Sequence, residues 1–126
     1  MTNGANGSNP TRMVQMVFPD QTNHYGTLFG GKALELMDSC AFITATRHCR
    51  ENMVTASSER VDFRVPVHAG ELVELVGRVA ETGKSSVTVE VELYAEELLT
   101  GERRLCTKGE FVLVAVNEDG ETIPID

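Results

Sequence analysis

Apolar residues recur along this chain with two different periods, and the change from one to the other divides it. Met13, Val14, Met16, Val17 and Phe18 form a short apolar run closed by Pro19, which reads as a first strand at a sheet edge. The polar stretch from Pro19 to Tyr25 is rich in turn formers. From Gly30-Gly31-Lys32 to about Arg50 the spacing becomes helical. Ala33, Leu34, Leu36, Met37, Cys40, Ala41, Phe42, Ile43 and Ala45 cover most of the helix circumference, which predicts a helix surrounded by protein. Arg47, His48 and Arg50 stand at its end, where positive charge suits the dipole.

Everything after residue 53 reads as strand. Met53 to Phe63 mixes β-branched and small polar residues, and the Pro66 bend runs on to Gly70. Leu72 to Ala80 places Val73, Leu75, Gly77 and Val79 on one face. Thr82-Gly83-Lys84-Ser85 makes a turn, after which Val87, Val89, Val91 and Leu93 alternate with Thr88, Glu90, Glu92 and Tyr94. A turn around Gly101 leads into a last long strand from Leu105 to Val116. Links of hairpin length require these strands to pair antiparallel. The predicted class is α+β: one long central helix wrapped by a curved antiparallel sheet of about five strands. A second subunit would complete the cover of the helix or the sheet edge.

Composition narrows the options. The chain has 126 residues, enough for one continuous core. The stretch 1–12, which is Gly-, Asn- and Ser-rich, reads as a disordered leader, and 13–126 as a single domain. A formal net charge of -8 argues against binding nucleic acid or an anionic membrane. Cys40, Cys49 and Cys106 are too few and too widely spaced for a disulfide framework or a metal site, so none is expected. Free thiols, with no membrane-length apolar run and no signal segment, point to the cytoplasm.

Few residues could carry chemistry. Asp38 sits mid-helix with Leu34, Met37, Ala41 and Phe42 at three- and four-residue spacing, and no basic residue stands at those spacings. Burying a carboxylate there costs on the order of several kcal/mol unless it is bonded. A functional group and a merely structural bond fit that pattern equally well. Gly30-Gly31 opens the helix, where free N–H groups and the positive dipole end can receive an oxyanion or a phosphate, though a lone Gly pair is also ordinary loop chemistry. Asn23 alone reads as a turn former. His24, His48 and His68 lack a nucleophile to serve, and the charge of Asp38 disfavours Cys40 as a thiolate.

Combined, Asn23–x2–Gly26–x3–Gly30–Gly31–x6–Asp38 is far more specific than its parts. With NHYGTLFGGKALELMD at its centre, the chain from about Met13 to Val116 resembles the hotdog-fold acyl-CoA thioesterases of the small single-domain bacterial type. Ser57-Ser58-Glu59-Arg60-Val61-Asp62-Phe63, the Pro66–Gly70 bend and Thr82-Gly83-Lys84-Ser85-Ser86 support the likeness. The resemblance implies hydrolysis of acyl-CoA without a covalent intermediate and with no cofactor beyond the coenzyme A of the substrate. Amides around Gly30 and Gly31 would hold the carbonyl oxygen, Asp38 would activate water, and Asn23 would position water or carbonyl. A homodimer would be the minimal active unit, with Asn23 and Asp38 of one site supplied by facing subunits, within a tetramer or hexamer. Thr82, Gly83, Lys84, Ser85 and Ser86 would hold the CoA phosphates. Many relatives carry a basic residue just before the proline of the bend, where this chain has Val65, with Arg64 one place earlier. Two rival readings are a hotdog module that binds acyl-CoA without turnover and an enoyl-CoA hydratase, for which His24 beside Asn23 is a poor substitute for an Asp–His pair.

Overall fold

The computed structural model describes residues 9–125. Five strands and one long helix make up the architecture: β1 (Thr11–Met16), α1 (Gly30–Cys49), β2 (Met53–Phe63), β3 (Leu72–Thr82), β4 (Ser86–Glu96) and β5 (Arg103–Ala115). The strands form one antiparallel sheet in the order β1-β3-β4-β5-β2. This is the predicted helix and five-stranded sheet. The first element begins earlier than expected. Thr11 and Arg12 belong to β1, because Thr11 pairs with Gly77 and Arg12 with Val76. Residues 1–8 of the expected leader lie outside the described residues.

The alternation read in Val87–Leu93 is literal. Val87, Val89, Val91, Leu93 and Ala95 are fully buried, while the residues between them are half-exposed. β4 is the central strand, so its inward face meets the helix and its outward face meets solvent. The helix lays Ala33, Met37, Cys40, Ala41, Thr44 and Ala45 into this face. It comes close to the sheet over Gly77, where an added Cβ would lie 2.4 Å from Thr44 Oγ1 and 3.0 Å from Cys40 Sγ. Only a residue without a side chain lets helix and sheet meet there. Arg50 ends the helix in the left-handed conformation, its N–H bonded to the Thr46 carbonyl.

The helix is less enclosed than its apolar circumference predicts. Phe42 is 44% exposed and Ile43 37% exposed, on the side that the sheet does not reach. β2, a strand at the edge of the sheet, also leaves Val54 and Phe63 exposed. One curved sheet covers only part of a helix, and the remainder of the apolar surface stays open in the single chain.

Candidate active site

Asp38 stands on the third turn of α1 and is half-exposed, not buried as its sequence neighbours predict. Leu34 beside it is only half-buried, so the apolar shell is incomplete. The carboxylate is nevertheless held: the Thr55 hydroxyl on β2 donates to Asp38 Oδ1 at 2.7 Å. Among the described residues Oδ2 has no partner. Thr55 reaches the helix because of a bulge in β2. Thr55 pairs with Leu113, and after a one-residue slip at Ala56 the pairing resumes with Ser57 on Val112 and Ser58 on Phe111. The slip puts both Thr55 and Ser58 on the helix side. With Gly31, Leu34, Glu35 and Phe111 they line a cleft of about 330 Å³ around Asp38.

The helix start lies at one end of this cleft. Phe29 precedes it without any side-chain cap, and Ala33 is the first residue whose N–H bonds back, to the Phe29 carbonyl. The N–H groups of Gly30, Gly31 and Lys32 have no partner among the described residues. The space over Gly31 is open, with nothing within 4 Å of where a Cβ would sit. Amides, dipole and access therefore coincide at a point on the same cleft as the held carboxylate, roughly 10 Å from it along the helix. A second, mainly apolar cavity of about 300 Å³ flanks Gly30 and includes Arg64 in its lining. Arg64 is exposed and donates to Asp62 at 2.8 Å.

Asn23 is not brought to Asp38 and lines neither cavity. It closes its own loop: Oδ1 accepts from Tyr25 N–H at 2.9 Å, Thr27 N–H at 3.2 Å and the Thr27 hydroxyl at 3.1 Å. Backbone N–H groups only donate, so the atom facing them must be the oxygen. What remains for other work is the amide nitrogen, a donor. Gly26, at φ +79, completes the tight turn that Asn23 begins. His24 stacks against Tyr25 and makes no pair with an Asp among the described residues.

Thr82, Gly83, Lys84, Ser85 and Ser86 lie elsewhere. They join β3 to β4, with the Gly83 N–H on the Ser86 carbonyl, and Thr82 Oγ1 is 3.0 Å from His48 Nε2. His48 is ten residues beyond Asp38, so this turn stands roughly 15 Å from it along the helix. Two of the three thiols are poor nucleophiles: burial pushes Cys40 up to about 11 against a lowering bond from Thr44, and burial likewise raises Cys106. Thr55 had no role in the sequence reading, and Ser58 entered it only within the Ser57–Phe63 stretch that supports the resemblance. Nothing local marks either one, because their place at the site follows from the β2–β5 register.

A model of the thioesterase superfamily matches residues 25–102, more than half of the chain. The chain belongs to the thioesterase superfamily. This thioesterase-family chain has the hotdog fold. It is 42% identical, over 86% of its length, to a Bacillus subtilis protein named as an uncharacterized acyl-CoA thioester hydrolase, and spans 63% of that relative. A crystal structure of an apo-hexameric acyl-CoA thioesterase superimposes with a TM-score of 0.88 at 42% identity, covering 92% of this chain and 74% of that one. The acyl-CoA hydrolase of Staphylococcus aureus, solved with butyryl coenzyme A and coenzyme A, matches with a TM-score of 0.86 at 31% identity over 92% of this chain and 71% of that one. Further structures of the Staphylococcus enzyme carry Ala in place of one Asn, one Asp or one Thr. In that enzyme the Asn and Asp are fifteen residues apart and the Asp and Thr seventeen, as are Asn23, Asp38 and Thr55 here.

Proposed function

We propose that this thioesterase-superfamily chain hydrolyses acyl-coenzyme A to a free acid and coenzyme A, with Asp38 as general base. The observations that carry the reading are a carboxylate fixed through Oδ1 by Thr55 and, roughly 10 Å back along the same helix, amides with no partner among the described residues. At that separation one carbonyl is served by the amides of one subunit and the Asp38 of the facing one. The thioester oxygen accepts from the Gly30 and Gly31 amides. Asp38 Oδ2 takes a proton from water as the water oxygen bonds the carbonyl carbon. Negative charge gathers on the former carbonyl oxygen, where preorganised amides are worth about 3 kcal/mol. Collapse of the tetrahedral species breaks the C–S bond, and the leaving thiolate recovers the proton from Asp38.

Asn23 enters as a donor to the substrate or to the lone pair of the attacking water, since its oxygen is taken by its own loop. Its absence from the Asp38 cleft of the same chain supports a site shared between facing subunits in a dimer or larger oligomer. The open faces of Phe42, Ile43 and β2 would then be covered by the partner. Thr82–Ser86 and Arg64 are the proposed contacts for the CoA phosphates. Lys84 is exposed, forms no ion pair among the described residues, and offers local positive charge on an acidic protein. The reaction needs no cofactor beyond the coenzyme A of its substrate, and the cytoplasm is the proposed compartment.

Release of free thiol from an acyl-CoA panel tests the reaction, and Asp38→Ala is expected to remove nearly all of it while the oligomer persists. Mixing Asn23→Ala with Asp38→Ala subunits tests the sharing. Statistical reassembly into dimers restores about a quarter of the activity if each site takes one residue from each chain. Full activity in Asp38→Ala, or no recovery on mixing, contradicts the corresponding step.

A further inference from the structure

We propose that Arg104 and Glu71 form a positioning pair for the reaction, holding the Pro66–Gly70 bend and, through Thr27, the loop that carries Asn23. The inference rests on the thioester-hydrolase reading above, in which the free amide nitrogen of Asn23 serves the reaction. Arg104 lies on β5 and reaches the bend. Its guanidinium donates to Glu71 Oε1, to Glu71 Oε2 and to the Pro66 carbonyl, each at 2.8 Å. Glu71 Oε1 also accepts from the His68 N–H at 2.8 Å. The Glu71 side chain is only 12% exposed, so water cannot fully replace the fork when one partner is removed.

The bend in turn anchors the Asn23 loop. Thr27 and His68 form an antiparallel bridge. It is flanked by bonds from the Leu28 N–H to the Val67 carbonyl at 2.8 Å and from the Ala69 N–H to the Gly26 carbonyl at 3.0 Å. Among the described residues, no other hydrogen bond ties residues 22–28 to a part of the chain distant in sequence. Thr27 carries the constraint onward, because its N–H and its hydroxyl both donate to Asn23 Oδ1. Asn23 is held by its oxygen, so the direction of its nitrogen depends on where Thr27 stands. Neither Arg104 nor Glu71 bonds Asn23; both act through the bend. An ion pair that only stabilised the fold would leave the rate of the folded enzyme unchanged.

The test is a double-variant cycle with wild type, Arg104→Met, Asn23→Ala and the two combined, read as kcat/KM for the fastest substrate of the acyl-CoA panel. Misplacing a positioned group by about 1 Å costs up to about a hundredfold, and Arg104→Met alone is expected to lose about tenfold. In the Asn23→Ala background no amide is left to misplace, so the same change is expected to cost about twofold or less. Amide exchange at Leu28 and Ala69 is expected to quicken in Arg104→Met by a larger factor than in β4. Losses that multiply in the combined variant, a wild-type rate in Arg104→Met, or no selective change in exchange overturns the inference and leaves the hydrolase reading standing. Where Arg104→Met fails to fold by circular dichroism, Glu71→Gln takes its place in the cycle with an expected loss of about fivefold, since it removes the charge that faces Arg104. Asn23→Ala at the wild-type rate removes the role of Asn23 and the inference with it. A wild type that hydrolyses no acyl-CoA removes the hydrolase reading itself.

Discussion

Thr55→Val removes a single hydroxyl at nearly constant volume and leaves Asp38 in place, which makes it a sharp probe of how the carboxylate is held. The bond it deletes is an O–H to a carboxylate oxygen at 2.7 Å. Bonds to charged groups contribute about 1.5–3 kcal/mol. Thr55 is exposed and Asp38 half-exposed in the single chain, so water replaces part of that. A net of about 1.5 kcal/mol corresponds to roughly a tenfold loss of rate. Because the hydroxyl orients the base and touches no part of the substrate in the proposed arrangement, the loss should appear in kcat with KM little changed. Thr55→Ser keeps the hydroxyl and should recover most of the rate. Thermal stability should be unchanged or slightly higher in Thr55→Val, since Val suits a strand. The assay is release of thiol from acyl-CoA, followed with a chromogenic disulfide. Full kcat in Thr55→Val, or a Thr55→Ser variant as slow as Thr55→Val, would refute the positioning role.

The bonding of Asn23 leads to a test by charge and donor exchange. Asp at this position can still accept from Tyr25 and Thr27 but cannot donate, so Asn23→Asp and Asn23→Ala should both lose about a hundredfold in kcat/KM. Only Asn23→Ala should also lose about 1 kcal/mol of stability in denaturant. The Glu71–Arg104 pair predicts a pH-dependent stability. Hydrogen bonds from Arg104, both at 2.8 Å, hold the Glu71 carboxyl below its ordinary 4.5 against the opposing effect of burial. The folded value lies below the unfolded one, so the stabilisation is present above pH 4.5 and is lost as pH falls through the lower folded value. Arg104→Met should therefore cost about 1–2 kcal/mol at neutral pH, and melts at falling pH should show the gap to wild type closing below pH 4.5. Gly77→Ala should lower the denaturant midpoint by the equivalent of about 2 kcal/mol with an unchanged slope, because its Cβ would meet Thr44 Oγ1 at 2.4 Å.

The kinds of element and their order were readable along the chain. Period-2 burial in Val87–Leu93 and helical spacing from Ala33 to Ala45 follow from local geometry, and each survives in the folded protein. Gly30-Gly31 opens the helix where the sequence placed its start, and nothing stands within 4 Å of where a Cβ would sit on Gly31. Adjacent strands β3, β4 and β5 are joined by short turns, so their pairing was equally legible. Non-local pairing was not. That β1 joins β3 and β2 joins β5 depends on which edges remain free once the helix is covered, and no short-range signal encodes it. The site inherits this dependence. Asp38 is a half-exposed, bonded group, not a buried one, because β2 is an edge strand whose register brings Thr55 to it. Asn23 could be recognised by motif, but only its loop contacts show that its oxygen is occupied and its nitrogen free. Val61 meets Gly109, forty-eight residues away in sequence, only because their strands pair across the sheet. Local periodicity chooses the elements; the packing of distant segments decides which side chains meet.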